Sequence, residues 1–366
     1  MDNIIKSIVN EADSTNTKEM MNEKDKELME ILKDNSARIK VIGIGGGGNN
    51  TLNRIFQIGI EGAEKIAINT DAQDLIEMEA DKKILIGREL TKGLGAGASP
   101  KIGEDAAREN ETEIKDALRD SDMVFITCGM GGGTGSGAAY IVAEIAKKQR
   151  ALVVGIVTVP FEMEGNRRFE NAEYGLKKLE KHTDTLIVIP NEKLLEIAPK
   201  LPLHTAFKLA DEILTNAVKG ITEMVTKNGL MNLDFADIRT IMKDGGIAMI
   251  GLGESDTENR AEESIERAIS NPLLNVDLRG AKGALVNVTG GPDMTLDDAK
   301  QIVAKISEYL DEDAHLIWGA QIRDDLEKII RTMVVITGIK SNQISGKTKV
   351  EKEQKDLDDE LGLEFI

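Results

Sequence analysis

Cysteine is almost absent from this sequence, and its scarcity excludes two kinds of protein. Cys128 is the single cysteine, so no disulfide can form within the chain. The three histidines lie far apart and lack the spacing of metal ligands. A disulfide-stabilised secreted domain and a structural zinc domain are therefore both excluded, and we expect a cytoplasmic protein.

Long apolar runs are also lacking. No run approaches the roughly 20 residues that span a bilayer. The first residues, MDNIIKSIVNEADS, contain no apolar signal core. We therefore expect any contact with a membrane to be interfacial or indirect.

Positive charge is in deficit as well. The 366 residues include 46 Lys and Arg against 64 Asp and Glu, which gives a formal net charge of -18. Neutralising the phosphates of a nucleic acid requires a basic face. This composition therefore argues against a general nucleic-acid-binding protein.

Aromatic residues make up only 3% of the sequence, whereas 35 residues are glycine and 41% are hydrophobic. A core of Ile, Val, Leu, Met and Ala with many glycine-containing loops is typical of an α/β sheet protein. At roughly 150 residues per domain, the length favours two domains.

Short apolar runs alternate with helical segments from Ile39 onward, which predicts a parallel sheet with helices on both faces. The runs are IKVIGI, KIAINT, KKILIG, MVFITC, LVVGIVTVP and TLIVIP. A long helical pattern from Leu203 to Thr226 then predicts a buried connecting helix. Beyond it, GIAMIGLGE, ALVNVTG, HLIWGAQI and RTMVVITGI alternate with helices, which predicts a smaller α/β domain with a mixed sheet.

The predicted organisation has six parts. They are an N-terminal helical extension over 1–37, a nucleotide-binding domain over 38–202, a central helix over 203–228, a second domain over 229–340, a flexible linker over 341–356 and a terminal peptide over 357–366. The terminal peptide, LDDELGLEFI, regains apolar side chains after a polar stretch, which suggests docking to a partner. A solubilising acidic end is the alternative.

The first glycine segment, GIGGGGNN over residues 43–50, lies between a predicted strand and the predicted helix TLNRIFQIG. Glycines at such a turn let backbone N–H groups approach a phosphate, and the helix N-terminus favours negative charge. The segment satisfies the dinucleotide pattern G-x-G-x-x-G, and Asp71 follows at about the distance of that fold's ribose-binding acid. A dinucleotide, another nucleotide and a purely structural turn all remain open.

The second glycine segment, GMGGGTGSG over residues 129–137, lies between the strand MVFITC and the predicted helix AAYIVAEIAKK. Its N–H and hydroxyl groups can surround a di- or triphosphate. A dinucleotide fold needs one such loop, and this chain has two. The lysine of a Walker loop is absent, so cation neutralisation must come from Mg²⁺. A flexible glycine hinge is the alternative.

The segment GGGTGSG closely resembles the tubulin motif as it occurs in the FtsZ family of prokaryotic cell-division GTPases. Five further segments resemble motifs of that family: GIGGGGNN, INTDAQDL, GLGAGASP, PFEMEGNRR and NLDFADIRTIM. The six occur in the family's order between about residues 39 and 339, and the two ends of the chain look most like archaeal members. The resemblance implies a tubulin/FtsZ-like α/β fold. In that fold a Rossmann-like parallel-sheet GTPase domain is joined by the long central helix to a smaller, GTPase-activating α/β domain.

The resemblance also implies which residues hold GTP or GDP. The implied phosphate contacts are Gly46, Gly47, Gly48, Asn49, Asn50, Gly133, Thr134 and Gly135. The implied γ-phosphate sensor is formed by Gly97 and Ala98, although many relatives have glycine in place of Ala98. Mg²⁺ is expected to be held mainly by the GTP phosphates and water, with no metal site on the protein.

Four more residues match contacts to the nucleoside. Glu164 and Arg168 match the ribose contacts, although from spacing alone an exposed ion pair is the alternative. Phe207 and Asp211 match the base site, where a carboxylate can accept hydrogen bonds from guanine N1–H and N2–H₂. From spacing alone, a core phenylalanine and a surface aspartate are the alternative.

Asn232, Asp234 and Asp237 match the family's catalytic loop. The two aspartates are three residues apart at a predicted helix start, so both carboxylates can orient one water, together with the magnesium shell. From spacing alone, the same pattern is a helix N-cap. The family's arrangement implies that this loop reaches the nucleotide of the next subunit.

The implied function is a GTPase that polymerises head to tail into filaments of the division ring, at midcell beneath the membrane. A membrane-tethering partner is expected to bind residues 357–366, without nucleic acid and without direct insertion into the membrane. Two other functions stay open: a dinucleotide-dependent oxidoreductase, which leaves GGGTGSG unexplained, and a nucleotide-binding scaffold that does not hydrolyse.

Overall fold

Ten strands lie within the residues that the computed structural model describes, which are 37–197, 202–226, 234–274, 281–311 and 313–339. They are β1 (Ile39–Ile44), β2 (Ala63–Asn69), β3 (Lys82–Leu85), β4 (Met123–Gly129), β5 (Leu152–Val159), β6 (Thr185–Pro190), β7 (Gly246–Ser255), β8 (Gly283–Gly290), β9 (His315–Ile322) and β10 (Ile330–Thr337). Every apolar run that the sequence marked as a strand forms one, with small differences at the ends.

The ten strands form one sheet in the order β3-β2-β1-β4-β5-β6-β7-β10-β8-β9. Strands β1 to β6 are parallel, whereas β10 runs antiparallel to both β7 and β8. The two halves join where β6 pairs with β7, from Thr185 opposite Gly246 to Ile187 opposite Ala248. The predicted parallel and mixed sheets are therefore both present, and they are continuous.

Twelve α-helices are described in the same ranges. They are α1 (Gly45–Ile58), α2 (Ala72–Glu77), α3 (Arg88–Thr91), α4 (Pro100–Glu109), α5 (Glu111–Ala117), α6 (Gly133–Lys148), α7 (Asn166–Glu180), α8 (Asn191–Ile197), α9 (Leu203–Thr226), α10 (Phe235–Met242), α11 (Arg260–Ile269) and α12 (Leu296–Ser307).

Helices cover both faces of the parallel strands, as the near-continuous apolar runs predict. Successive side chains of a strand point to opposite faces. On β4, Phe125 packs into the core formed with α1 and α9, whereas Ile126 packs into the core formed with α4, α5, α6 and α7. Burial of both faces leaves only the strand ends free to form a site.

Helix α9 is the predicted connecting helix, and its bounds agree with the prediction. Its buried apolar residues recur at steps of three and four: Ala210, Ile213, Leu214, Ala217, Val218, Ile221 and Met224. They pack in the same core as Leu285 of β8 and Met333 of β10. One helix face is therefore shared between the two halves of the sheet.

The predicted linker, the terminal peptide and residues 1–36 of the predicted extension lie outside the described residues. The predicted domain boundaries stay predictions. No helix in the described ranges is both long enough and apolar enough to cross a bilayer.

Candidate functional site

A cavity of about 480 Å³ opens at the carboxyl ends of β1 and β4. These strands are neighbours where the strand order reverses, because β2 and β3 lie on one side and β5 and β6 on the other. Ligands of open parallel sheets bind at such a point. The volume lies within the roughly 300–1,000 Å³ of small-molecule sites. Both glycine segments contribute to the lining, through residues 45–47 and 132–135.

The two glycine segments are partly helical, which corrects the prediction that both are loops. Helix α1 begins at Gly45 rather than after Asn50, and α6 begins at Gly133 rather than after Gly137. Glycine has a low helix propensity, so local sequence alone favours a loop. The packing of these two helices against their neighbours overrides that preference.

Close backbone contacts explain why glycine occurs inside these helices. A Cβ at Gly48 would lie 2.2 Å from the carbonyl oxygen of Thr127 in β4. A Cβ at Gly137 would lie 2.0 Å from the carbonyl oxygen of Pro100, at the start of α4. Any side chain at these two positions would push the helices away from the strand end and from α4.

The first turns of α1 and α6 line the cavity, and neither helix N-terminus is capped by a side chain or carries an acidic residue in its first turn. The first N–H groups of a helix have no partner within it, and they carry the positive end of the helix dipole. Two such N-termini in one cavity suit a ligand with several phosphate groups.

Six of the eight predicted phosphate contacts line the cavity: Gly46, Gly47, Asn50, Gly133, Thr134 and Gly135. The other two do not. Gly48 packs against β4, and the Asn49 side chain is fully buried, without a hydrogen-bond partner among the described residues.

The third predicted phosphate segment, residues 93–100, is joined to the second. The N–H of Gly133 donates to the Gly97 carbonyl over 3.0 Å. Gly97 lines the cavity at a φ of 56°, in the left-handed region that favours glycine. Ala98 is exposed and does not contribute to the lining. Gly97 therefore lines the cavity and Ala98 does not, and the sensor role of both residues stays a prediction.

Glu164 and Arg168 both line the cavity and form an ion pair. The Glu164 carboxylate also accepts the Phe161 N–H over 2.9 Å, which fixes its position after β5. The Arg168 side chain is 53% exposed. The pair is thus anchored at its acidic end, and its basic end is free to move toward a ligand.

Phe207 and Asp211 also line the cavity, one turn apart on α9. The Phe207 ring is partly exposed and stands edge-on to Phe161, with 5.2 Å between the ring centroids. Asp211 is partly buried and accepts a hydrogen bond from Thr51 Oγ1 over 2.8 Å. The alternative from spacing alone was a core phenylalanine and a surface aspartate. The observed burial of the two side chains is the reverse.

Burial raises the pKa of the Asp211 carboxyl above its ordinary value, while the hydrogen bond from Thr51 lowers it. Among the hydrogen bonds of the described residues, Asp211 accepts only through Oδ1. Its other carboxylate oxygen therefore remains available to a donor on a ligand.

Asn191 is a lining residue that the sequence did not predict. It begins α8, directly after β6, and its side-chain oxygen is buried without a partner among the described residues. An unpaired buried amide oxygen is costly unless a ligand donates to it. A single asparagine after a strand has no spacing pattern that would have revealed it.

Asp71 lines the cavity as well, but its carboxylate caps α2. It accepts the N–H groups of Gln73, over 2.9 Å, and Asp74, over 3.3 Å. The dinucleotide interpretation required Asp71 as a ribose-binding acid, and the cap already engages this carboxylate.

Asp234 and Asp237 lie outside the lining of the cavity. Asp234 is exposed and caps α10, where its Oδ1 accepts the N–H groups of Ala236, over 2.6 Å, and Asp237, over 3.1 Å. The Asp237 side chain is also exposed. Asn232, the third predicted catalytic residue, lies outside the described residues.

The described residues offer no metal cage. No group of three or more His, Cys, Asp or Glu side chains among them is arranged to hold a metal ion. The carboxylates that line the cavity already have partners: Asp71 caps α2, Asp74 accepts from Asn69, Glu164 pairs with Arg168 and Asp211 accepts from Thr51.

Comparisons with known proteins agree with this geometry. The Tubulin/FtsZ family GTPase domain matches residues 38–199, and the C-terminal domain of the FtsZ family matches residues 246–340. Cell division protein FtsZ 1 of Thermococcus kodakarensis is 60% identical over 87% of this chain and 85% of its own length. Cell division protein FtsZ 1 of Methanocaldococcus jannaschii is 59% identical over 87% of each chain. A solved structure of an empty FtsZ dimer of M. jannaschii matches with a TM-score of 0.84 at 58% identity, over 87% of this chain and 93% of that one.

Proposed function

This chain belongs to the FtsZ family of tubulin-like GTPases, and from that membership we propose that it is a cell-division GTPase that assembles head to tail into filaments. The observation that carries the proposal is the cavity at the strand-order reversal, which is lined by two uncapped helix N-termini and by the partly buried acid Asp211. The shape and the chemistry of this cavity suit GTP and GDP.

The base end selects guanine. The free oxygen of Asp211 accepts from guanine N1–H and N2–H₂, which adenine does not offer in that arrangement. The unpaired amide oxygen of Asn191 provides a second acceptor at the same end. The exposed face of the Phe207 ring stacks on the base.

The phosphate end binds through backbone rather than through lysine. The N-terminal turns of α1 and α6 donate N–H groups, and Arg168 is the one basic side chain among the described residues of the lining. Mg²⁺ bound to the phosphates and water would supply the remaining positive charge.

Hydrolysis needs a group that positions the attacking water, and the carboxylates of the described lining have other roles. Every carboxylate in the described lining is engaged in a cap, an ion pair or a hydrogen bond. The exposed Asp234 and Asp237 of the neighbouring subunit, with its Asn232, complete the site. The partner loop polarises the water, and the water oxygen forms a bond to the γ-phosphorus. The bond between the β,γ-bridging oxygen and the γ-phosphorus breaks, which gives GDP and phosphate.

Such an interface joins two different surfaces, so it is heterologous and extends into an open filament. In the cell, the filament forms the division ring beneath the membrane at midcell. The apolar residues of segment 357–366 dock it to a membrane-tethering partner. Support for self-association comes from the solved relative, which is described as an FtsZ dimer.

The experiment is phosphate release from GTP with Mg²⁺ as a function of protein concentration. Activity per subunit is expected to rise above a threshold concentration, because each site needs two subunits. Samples with ATP, and samples without Mg²⁺, are expected to stay near background. A rate per subunit that does not change with concentration would contradict the shared site, and GTP binding without turnover would indicate a scaffold.

A further inference from the structure

Asn171 on α7 connects two loops that line the cavity. Its side-chain Nδ2 donates to the carbonyl of Ala98 over 2.9 Å and to the carbonyl of Gly131 over 3.2 Å. Ala98 belongs to the third phosphate segment and Gly131 to the second. One amide group thus bridges two segments, at residues that are 33 positions apart in the sequence.

The orientation of this amide follows from its neighbours. Both neighbours are carbonyl oxygens, which only accept, so only the NH₂ end of Asn171 can face them. Its position is equally well defined, because Asn171 lies in the second turn of α7, one turn after Arg168. Helix α7 packs against α6 through Gly175, where a Cβ would come within 2.9 Å of Ser136.

Two glycines in these loops depend on backbone contacts for their conformation. Gly97 and Gly131 have φ values of 56° and 100°, which few other residues adopt, and neither has a side chain to anchor it. Gly97 is held by a single backbone hydrogen bond from Gly133, and Gly131 by one from its own N–H to Ser136 Oγ. Asn171 adds a tie that crosses from one loop to the other.

We propose that Asn171 is a positioning residue that sets the third phosphate segment against the second, so that both contact the γ-phosphate of GTP at the same time. This inference rests on the proposed function, since it requires that the cavity holds GTP. GDP has no γ-phosphate and gains less from the alignment. Asn171 therefore contributes to the preference for GTP over GDP without touching the nucleotide.

The test compares Asn171→Asp, Asn171→Ala and Asn171→Gln with the unchanged chain. The Asp variant keeps the shape but loses the donor and places an acceptor against two carbonyls. The Gln variant keeps the donor on a longer side chain. Glu170→Ala is the matched control, because Glu170 is the exposed neighbour of Asn171 on the same helix. Alanine has a higher helix propensity than asparagine, so Asn171→Ala does not weaken α7 through its backbone.

The measurement is the dissociation constant for GTP and for GDP, each with Mg²⁺, on the full chain below its assembly threshold. Loss of one net hydrogen bond corresponds to a change of about two- to tenfold. We expect Asn171→Ala to lose that much GTP affinity with little change for GDP, and Asn171→Asp to lose more. Asn171→Gln should recover part of the loss, and Glu170→Ala should match the unchanged chain.

Equal losses for GTP and GDP, or no loss in either, would overturn the positioning role while leaving the proposed function intact. The positioning role would also be overturned if Asn171→Gln bound GTP no better than Asn171→Ala, because the side-chain donor would then not matter. An unchanged chain that binds neither nucleotide would overturn the proposed function and this inference together.

Discussion

In the proposed function, Asp211 is the residue whose chemistry decides which base the cavity prefers. Its carboxylate is fixed by Thr51 at one oxygen and is partly buried, so an unmatched donor or acceptor on the base is costly there. Guanine presents two N–H donors on one edge, and a carboxylate accepts both. The preference for GTP thus depends on an acceptor-only group at this position.

Replacing Asp211 with Asn is expected to change the nucleotide preference of the cavity from GTP to xanthosine triphosphate. An amide can donate to the C2 carbonyl of xanthine, whereas it opposes an N–H donor to the guanine N2 amino group. Hydrogen bonds to charged groups contribute about 1.5–3 kcal/mol, so GTP affinity should fall by about 10- to 150-fold. Competition binding with both nucleotides measures the exchange. Equal weakening for GTP and xanthosine triphosphate would show that Asp211 supports the cavity without reading the base.

The affinity for GTP should also depend on pH through Asp211. Burial raises the pKa of this carboxyl above 3.8, so it takes up a proton at a higher pH than an exposed aspartate does. The ionised form accepts from guanine, so affinity is present above the raised pKa and is lost as the pH falls through it. Titrating GTP binding downward from neutrality should show this loss beginning at a higher pH than an exposed aspartate would give. The Asp211→Asn variant, which lacks the titrating group, should bind GTP more weakly and with a flatter pH profile. A profile as steep as that of the unchanged chain would assign the titration to another group.

At the scale of elements, the strands were predictable and the helix starts were not. Strand periodicity is local, so runs such as IKVIGI and TLIVIP gave β1 and β6 with their observed bounds. The starts of α1 and α6 depend on tertiary contacts. A Cβ at Gly48 would lie 2.2 Å from the Thr127 carbonyl oxygen of β4, so only glycine lets α1 pack there. Local propensity contains no information about that contact.

The residues of the candidate site also divide into those that the sequence predicted and those that it did not. Residues within a contiguous motif, such as Gly46 and Thr134, were placed in the cavity from sequence. Asn171 and Asn191 were not, because each is a lone asparagine whose partners come from a different element. Asn49 belongs to a motif, but its side chain is buried and does not line the cavity, so its phosphate contact stays a prediction.

Two glycines at the start of α6 should respond differently to alanine. Gly132 has no atom within 4 Å of a would-be Cβ and has an ordinary φ of -82°, so Gly132→Ala should fold normally. Its new methyl group would project into the space for the phosphates and lower GTP affinity. Gly137→Ala would place a methyl group 2.0 Å from the Pro100 carbonyl oxygen and should lower stability by about 1–3 kcal/mol.

Urea unfolding without nucleotide, together with GTP binding, separates the two effects. Gly132→Ala should change only the binding, and Gly137→Ala should lower the free energy of unfolding. If Gly132→Ala binds GTP as well as the unchanged chain does, the phosphates do not occupy this space.

At the scale of the whole molecule, the question is whether one subunit contains a complete active site. The cavity and the cap residue Asp234 belong to different elements, and Asp234 is absent from the lining. Its carboxylate is exposed, so it is accessible to a second subunit. Removing it with alanine would also remove the cap of α10, at a cost of about 1 kcal/mol. Asparagine caps a helix as well as aspartate does, so Asp234→Asn removes the charge and keeps the helix.

A mixture of two inactive variants gives the decisive prediction. Asp234→Asn retains an intact cavity, and Asp211→Asn retains an intact Asp234, so each alone should release little phosphate from GTP. If the site is shared, an interface between the cavity of the first and the acidic loop of the second is complete. Random head-to-tail assembly of equal amounts makes about a quarter of the interfaces complete, and phosphate release should recover to about that fraction of the unchanged chain.

The control uses Asp244→Asn in place of Asp234→Asn. It removes one negative charge at an exposed position just after α10. Asp244→Asn alone should be nearly as active as the unchanged chain, which excludes a general effect of charge on assembly. An Asp234→Asn and Asp211→Asn mixture that stays as inactive as its components, while sedimenting as mixed filaments, would place the complete site within one subunit. Recovery requires that Asp234 act across the interface, because no single chain in the mixture contains both intact parts.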